Sequence, residues 1–200
     1  MISFSSQGTL HETGRWKTSS KKKMVILQPK RLHWIQDIGD DSFDLCAHGE
    51  VEFRIDDDIV LFTHGENLTV SAAALYLLRT LTAAHTKSSR VSEHLFPCCG
   101  FTMVAIPEEA DVLIFGCVNG EDVEVDHQEN GDGVIIRMND GREWKVTWTD
   151  WRTAVFAFAD RVSEFYESSS PKEYPDDDAA GYLKFLDEWQ RRRGKSLGQT

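Results

Sequence analysis

Two runs of apolar and polar residues, Val134 to Met138 and Trp144 to Trp148, flank Asn139-Asp140-Gly141. Asp-Gly between such runs tolerates the positive φ of a tight turn, so the pair reads as a β-hairpin. This feature constrains the fold most. Strands joined by turns pair antiparallel, whereas a doubly wound dinucleotide fold places a helix between successive strands. The same signal recurs upstream. Leu32 to Gln36 reads as a first strand and Phe43 to Ile55 as a second, with Gly49 marking a bulge or bend. Asp56-Asp57-Asp58 reads as a turn into a returning strand, Ile59 to Phe62. Asp111 to Cys117 is expected to form a buried strand, and Val123 to Asp126 another. Trp144, Val146 and Trp148 would share one strand face, because side chains alternate.

Three segments carry the helical period instead. The run "SAAALYLLRTLTAAH" places Ala74, Leu75, Leu77, Leu78 and Leu81 at three- and four-residue steps, with Thr69 or Ser71 as its cap. A second helix is expected from Trp151 to Glu167, capped by Thr149 or Asp150 and ended by Ser168-Ser169-Ser170-Pro171. Its apolar set is Trp151, Val155, Phe158, Val162 and Phe165. A third is expected from Asp177 to Arg193. Its aspartates lie at the positive end of the helix dipole, its arginines at the negative end, and Gly194 stops it. Tyr182, Phe185, Leu186 and Trp189 form its buried stripe. The fold class is therefore α+β: an antiparallel β-sheet with one internal helix and two C-terminal helices packed on it.

Residues 1–23 lack hydrophobic periodicity and end in three lysines. They read as a disordered N-terminal extension, an over-called translation start, ahead of a single α+β domain over 24–200. The extension holds Arg15, Lys17, Lys21, Lys22 and Lys23 against Glu12, a net of +4. Taking that from the chain's −11 leaves −15 on the body. Such a body repels nucleic-acid phosphates and attracts basic proteins. No apolar run reaches the roughly 18 residues of a membrane span. No secretory apolar segment leads the chain, so Cys46, Cys98, Cys99 and Cys117 are expected reduced, in the cytoplasm. The sequon Asn67-Leu68-Thr69 carries no weight there.

"HLFPCCGF", His94 to Phe101, is the most chemical stretch. A zinc site needs four converging N or S ligands, usually as spaced pairs. Cys98 and Cys99 are adjacent, and adjacent side chains diverge in a strand. The candidate partners are His94, Cys117, Cys46 and His48, but Pro97 disfavours the helical turn that would bring His94 onto Cys98. Cys98 and Cys99 are therefore expected to be small buried side chains in a proline-led turn, with no metal and no cofactor. The alternative is a zinc- or thiol-dependent enzyme or regulatory domain centred on Cys98 and Cys99.

Other motifs fail on their own chemistry. A calcium loop started at Asp126 puts Gly131 at the sixth position, yet Arg137 stands where a bidentate Glu is required. "DHQENGDG" is expected to be a hairpin loop. Phosphate loops, a G-x-S-x-G elbow and H-E-x-x-H are absent from the sequence. The acidic pairs Glu108-Glu109 and Glu121-Asp122 need no catalytic role on so acidic a body. Trp144, Trp148 and Trp151 fit core packing better than base stacking.

Weight therefore moves to a non-enzymatic binding protein. The acids Asp56, Asp57, Asp58, Glu121, Asp122, Glu124 and Asp126 are the expected docking residues for a basic partner, since complementary charge speeds encounter. The closing segment "WRTAVFAFADRVSEFYESSSPKEYPDDDAAGYLKFLDEWQRRRG", with the acidic α+β layout, resembles bacterial immunity proteins. That resemblance implies neutralisation of a cognate toxin domain by direct binding. It assigns no functional residue.

Overall fold

The structure is a computed structural model and describes residues 23–35, 39–65, 67–100 and 102–198. The expected N-terminal extension, apart from Lys23, lies outside the described residues. Alternating apolar residues build the first sheet from β1 (Val25–His33), β2 (His48–Ile55), β3 (Asp58–Phe62) and β4 (Leu68–Thr69). All pairs are antiparallel, with β2 between β1 and β3 and also paired to β4. Val51, Phe53 and Ile55 alternate inward and are fully buried.

β1 begins upstream of the expected Leu32 to Gln36 and shares only Leu32 and His33 with it; Gln36 lies outside the described residues. Pro29 hides β1 in the sequence, but β1 is an edge strand and can omit a ladder N–H. The expected second strand also shortens. Asp41 and Asp44 side chains accept from the N–H groups of Phe43, Ile35 and Cys46, so Phe43 to Ala47 forms turns rather than a ladder. The irregularity anticipated at Gly49 falls opposite it, in β1 between Lys30 and His33. A Cβ at Gly49 would come within 2.6 Å of the Lys30 carbonyl oxygen.

α1 (Val70–Arg79) is buried from Val70 to Leu78 and forms the centre of the molecule. Thr69 is its N-cap residue but makes no side-chain cap bond, and the buried hydroxyls of Thr69 and Ser71 have no partner among the described residues. Short elements follow: β5 (Phe96–Pro97), β6 (Thr102–Val104), β7 (Leu113–Phe115) and β8 (Gly120–Glu121). β5 pairs β8, and β6 pairs β7. A three-stranded antiparallel sheet then forms from β9 (Glu124–His127), β10 (Gly133–Arg137) and β11 (Glu143–Thr147), with β10 central. Both hairpins expected here are present, including the turn at Asn139-Asp140-Gly141 and the loop within "DHQENGDG". The single sheet expected from the sequence is thus two larger sheets and two ribbons, in the same α+β class.

α2 (Trp148–Glu167) starts on Trp148, which leaves the strand face shared by Trp144 and Val146. Its cap is Thr147, not Thr149 or Asp150. The Thr147 hydroxyl accepts from the Asp150 N–H and donates to the Asp150 carboxylate, a reciprocal box at the helix start. Trp151, Val155, Phe158 and Val162 are fully buried, each contributing about 1.5–3 kcal/mol of apolar burial. They pack α2 across β1, α1 and the β10–β11 hairpin. The Trp151 ring lies 6.0 Å from Phe53, and its indole N–H donates to Thr80. α3 (Asp176–Arg193) ends on Gly194 in the left-handed region and buries Tyr182, Phe185 and Trp189. No helix among the described residues is long and apolar enough to cross a membrane.

Candidate functional site

β6 and β7 form a two-stranded ribbon in the register Thr102↔Phe115, Met103↔Ile114 and Val104↔Leu113. Alternation splits its side chains. Met103 is buried and Ile114 packs against the core. Val104, Leu113 and Phe115 face outward, Phe115 at 53% exposure, and Val118 beyond them is 86% exposed. The buried strand expected over Asp111 to Cys117 is therefore a three-residue edge with an exposed apolar face. Its partner strand is too short to give a periodic signal. The connecting loop carries exposed Glu108 and Glu109.

The inner face of the ribbon rests directly on α3. A Cβ on Gly181 would overlap the Met103 carbonyl, so only glycine allows this approach. Beneath lies a buried charge cluster. Glu188, 0% exposed, accepts from Arg79 Nε and Nη2 at 2.8 Å each, from the Val112 N–H at 2.8 Å and from Arg192 Nε at 2.6 Å. Arg79 also donates to the Val91 and Val112 carbonyls. Arg191 and Arg192 hold Asp111. Burial pushes the Asp111 carboxyl up, but the arginines outweigh it and hold it below the ordinary carboxylate value. One carboxylate thus ties α1, α3 and the ribbon together.

At the root of the ribbon the two legs meet in three cysteines. Cys98 and Cys117 sulfurs are in disulfide contact, with Cα atoms 6.9 Å apart. The Cys117 N–H donates to Cys99 Sγ at 2.7 Å. All three sulfurs lie within 4.8 Å of one another and are half-buried. This corrects the expectation that adjacent cysteines diverge into a buried turn. Cys98 lies in a bend after β5, not in a strand, so alternation does not separate its side chain from that of Cys99. Gly116 permits the close crossing, because a Cβ there would overlap the Cys99 carbonyl. His94, Cys46 and His48 stay outside the cluster. Burial, with Asp44 and Asp178, pushes the Cys46 thiol up to about 12, and it donates to the Gly100 carbonyl. No local sequence signal marks this meeting; the Cys98 N–H donates to the Asn119 carbonyl, and that crossing of the two legs brings Cys98 and Cys99 beside Cys117.

A second polar group looks catalytic by type. His85, 1% exposed, places Nε2 2.9 Å from an Asp122 carboxylate oxygen. Its Nδ1 accepts from the Val91 N–H, which assigns the Nε2 proton to the bond with Asp122. Asp122 also accepts from the Leu95 N–H. No lone pair remains on this imidazole to take a proton from a substrate, so the dyad holds the 85–95 loop in place.

The seven acids expected to dock a partner separate into two groups. At the β2–β3 turn, Asp56 caps the Met24 N–H, Asp58 accepts from the Trp144 indole and Asp57 is exposed. In the other group, Glu121 sits in β8, Asp122 holds His85, Glu124 faces Lys87 at 3.7 Å and Asp126 pairs with Arg137 at 2.8 Å. The structure does not bring the groups together on one sheet, and most of these carboxylates serve the fold. Sequence reasoning expected a strand over β7 but missed its partner β6, which spans only three residues, and so missed the ribbon. Comparison of the chain with protein-family profiles, with curated proteins and with solved structures returned no match.

Proposed function

We propose that this chain is a non-enzymatic, cytoplasmic binding protein that neutralises a basic protein, such as a toxin domain, by direct docking, as immunity proteins do. The observation that carries this reading is the outer face of the β6–β7 ribbon. Val104, Leu113, Phe115 and Val118 present an apolar surface beside Glu108 and Glu109, on a body of strongly negative charge. An apolar centre with an acidic rim suits a partner with an apolar patch ringed by lysine and arginine. The Glu188 cluster and Gly181 hold this surface rigid from behind, which lowers the ordering cost of docking. The exposed Asp57 and the remaining acids act at longer range by steering encounter.

The test uses the toxin-type product of the gene adjacent to this one. Co-expression should restore growth of cells making that product. Calorimetry should give a complex whose affinity falls with added salt. Phe115→Asp with Val104→Asp should abolish protection while leaving the circular dichroism spectrum intact. An adjacent gene encoding no toxin, absence of protection, or full protection by the double variant would overturn the reading.

A further inference from the structure

We propose that Cys98, Cys99 and Cys117, as thiolates, hold one zinc ion at the root of the β6–β7 ribbon. This goes beyond the docking reading, and it departs from the sequence expectation of no metal. The sulfurs already lie within 4.8 Å of one another. Tetrahedral zinc with bonds near 2.3 Å sets its thiolates roughly 3.8 Å apart, so small side-chain rotations complete the geometry. Both segments are held by backbone bonds. Cys98 N–H donates to the Asn119 carbonyl at 3.2 Å, and Cys117 N–H donates to Cys99 Sγ. An N–H bond to a ligating sulfur is the outer-layer support that orients a thiolate and spreads its charge. All three cysteines are half-buried, which leaves a solvent route in and a fourth position for water.

Soft thiolates select zinc or copper(I). In a body this acidic, a divalent ion offsets more of the charge on three thiolates, which favours zinc. Binding replaces three S–H bonds with three Zn–S bonds and releases three protons. Where Cys98 and Cys117 are joined, a dithiol or phosphine reductant must first supply two electrons, with two protons taken up by the sulfurs. Zinc binding and the Cys98–Cys117 disulfide are therefore alternative states of one site. The zinc-bound state joins the leg entering β6 to the leg leaving β7. A two-stranded ribbon is marginal alone, so the ion would stiffen it at its open end.

The experiment uses the full chain made in zinc-supplemented medium and purified without oxygen in a phosphine reductant. Elemental mass spectrometry should find one zinc per chain. Cys98→Ser, Cys99→Ser and Cys117→Ser should each lose most of it, and Cys46→Ser should keep it. Cobalt(II) exchanged into the wild type should show a thiolate charge-transfer band that weakens in each of the three variants. Because a variant can fail to fold, hydrogen exchange is also measured on the wild type, where zinc should slow the amides of Thr102–Val104 and Leu113–Phe115. Reduced wild type that binds no zinc on titration, full occupancy in Cys99→Ser, or a Cys98–Cys117 disulfide that survives the reductant would overturn the proposal. None of these readouts involves a partner protein, so the outcome is independent of the docking test.

Discussion

Replacing Glu188 by alanine removes the acceptor of four hydrogen bonds and the counter-ion of a buried guanidinium. Arg192 retains Asp111 and Thr82. Arg79 retains two carbonyls and the Tyr76 ring, but its side chain is only 11% exposed and its charge would face no carboxylate in contact. Burial pulls the Arg79 guanidinium's pKa down, yet the Glu188 bonds and charge outweigh it and the net shift is upward. Glu188→Ala removes that support, but a guanidinium is too basic to give up its proton in a protein, so Arg79 stays charged. Breaking a buried pair from one side costs about 3–5 kcal/mol. For a chain of this size that is a fall of about 6–20 °C in Tm.

Glu188→Gln keeps one oxygen acceptor and loses the charge, so about 2 kcal/mol is expected. The pair Arg79→Met with Glu188→Met removes both charges at once, and it should recover much of the loss because no buried charge is left unpaired. Urea titration with linear extrapolation measures the wild type, Glu188→Ala, Glu188→Gln, the double variant and its two single variants, Arg79→Met and Glu188→Met. The Val112 amide, which donates to Glu188, should exchange faster in Glu188→Ala than in the wild type. Two results would refute the reasoning: a cost below about 1 kcal/mol for Glu188→Ala, or a double variant no better than the sum of its single variants.

Two further outcomes follow from close packing and from burial. Gly181→Ala should destabilise by about 1–3 kcal/mol, because its Cβ meets backbone, even though alanine gains about 1 kcal/mol in helix propensity; unchanged urea stability would disprove the tight α3–β6 approach. Burial lowers the His48 imidazole below 6.5, Asp44 opposes this and His33 adds to it. The unfolded chain then binds a proton that native His48 refuses. Its contribution is full above 6.5 and is lost as pH falls toward the native value, so stability should decline as pH falls below 6.5. His48→Gln should flatten that slope, and an identical slope in both proteins would exclude His48 as its source.

Long periodic segments were legible. The two C-terminal helices, the internal helix and the Asp-Gly hairpin follow from spacing, caps and turn chemistry, all local properties. Short or interrupted elements were not. β1 carries Pro29, which only its edge position tolerates, and β6, the partner of the expected strand at β7, is too brief for a period to show. The acids of the expected docking set were visible as charges, but their partners were not. Whether Asp122 meets solvent or His85 depends on residues 37 positions apart.

By itself the sequence determined the α+β class, the acidic body and the presence of four thiols. Only the tertiary structure decided that Cys98, Cys99 and Cys117 share one site and that Val104, Leu113 and Phe115 share one exposed face. The physical reason is that both depend on which backbones cross. Gly116 against Cys99 and Gly181 against Met103 set those crossings through contacts between residues far apart in the chain.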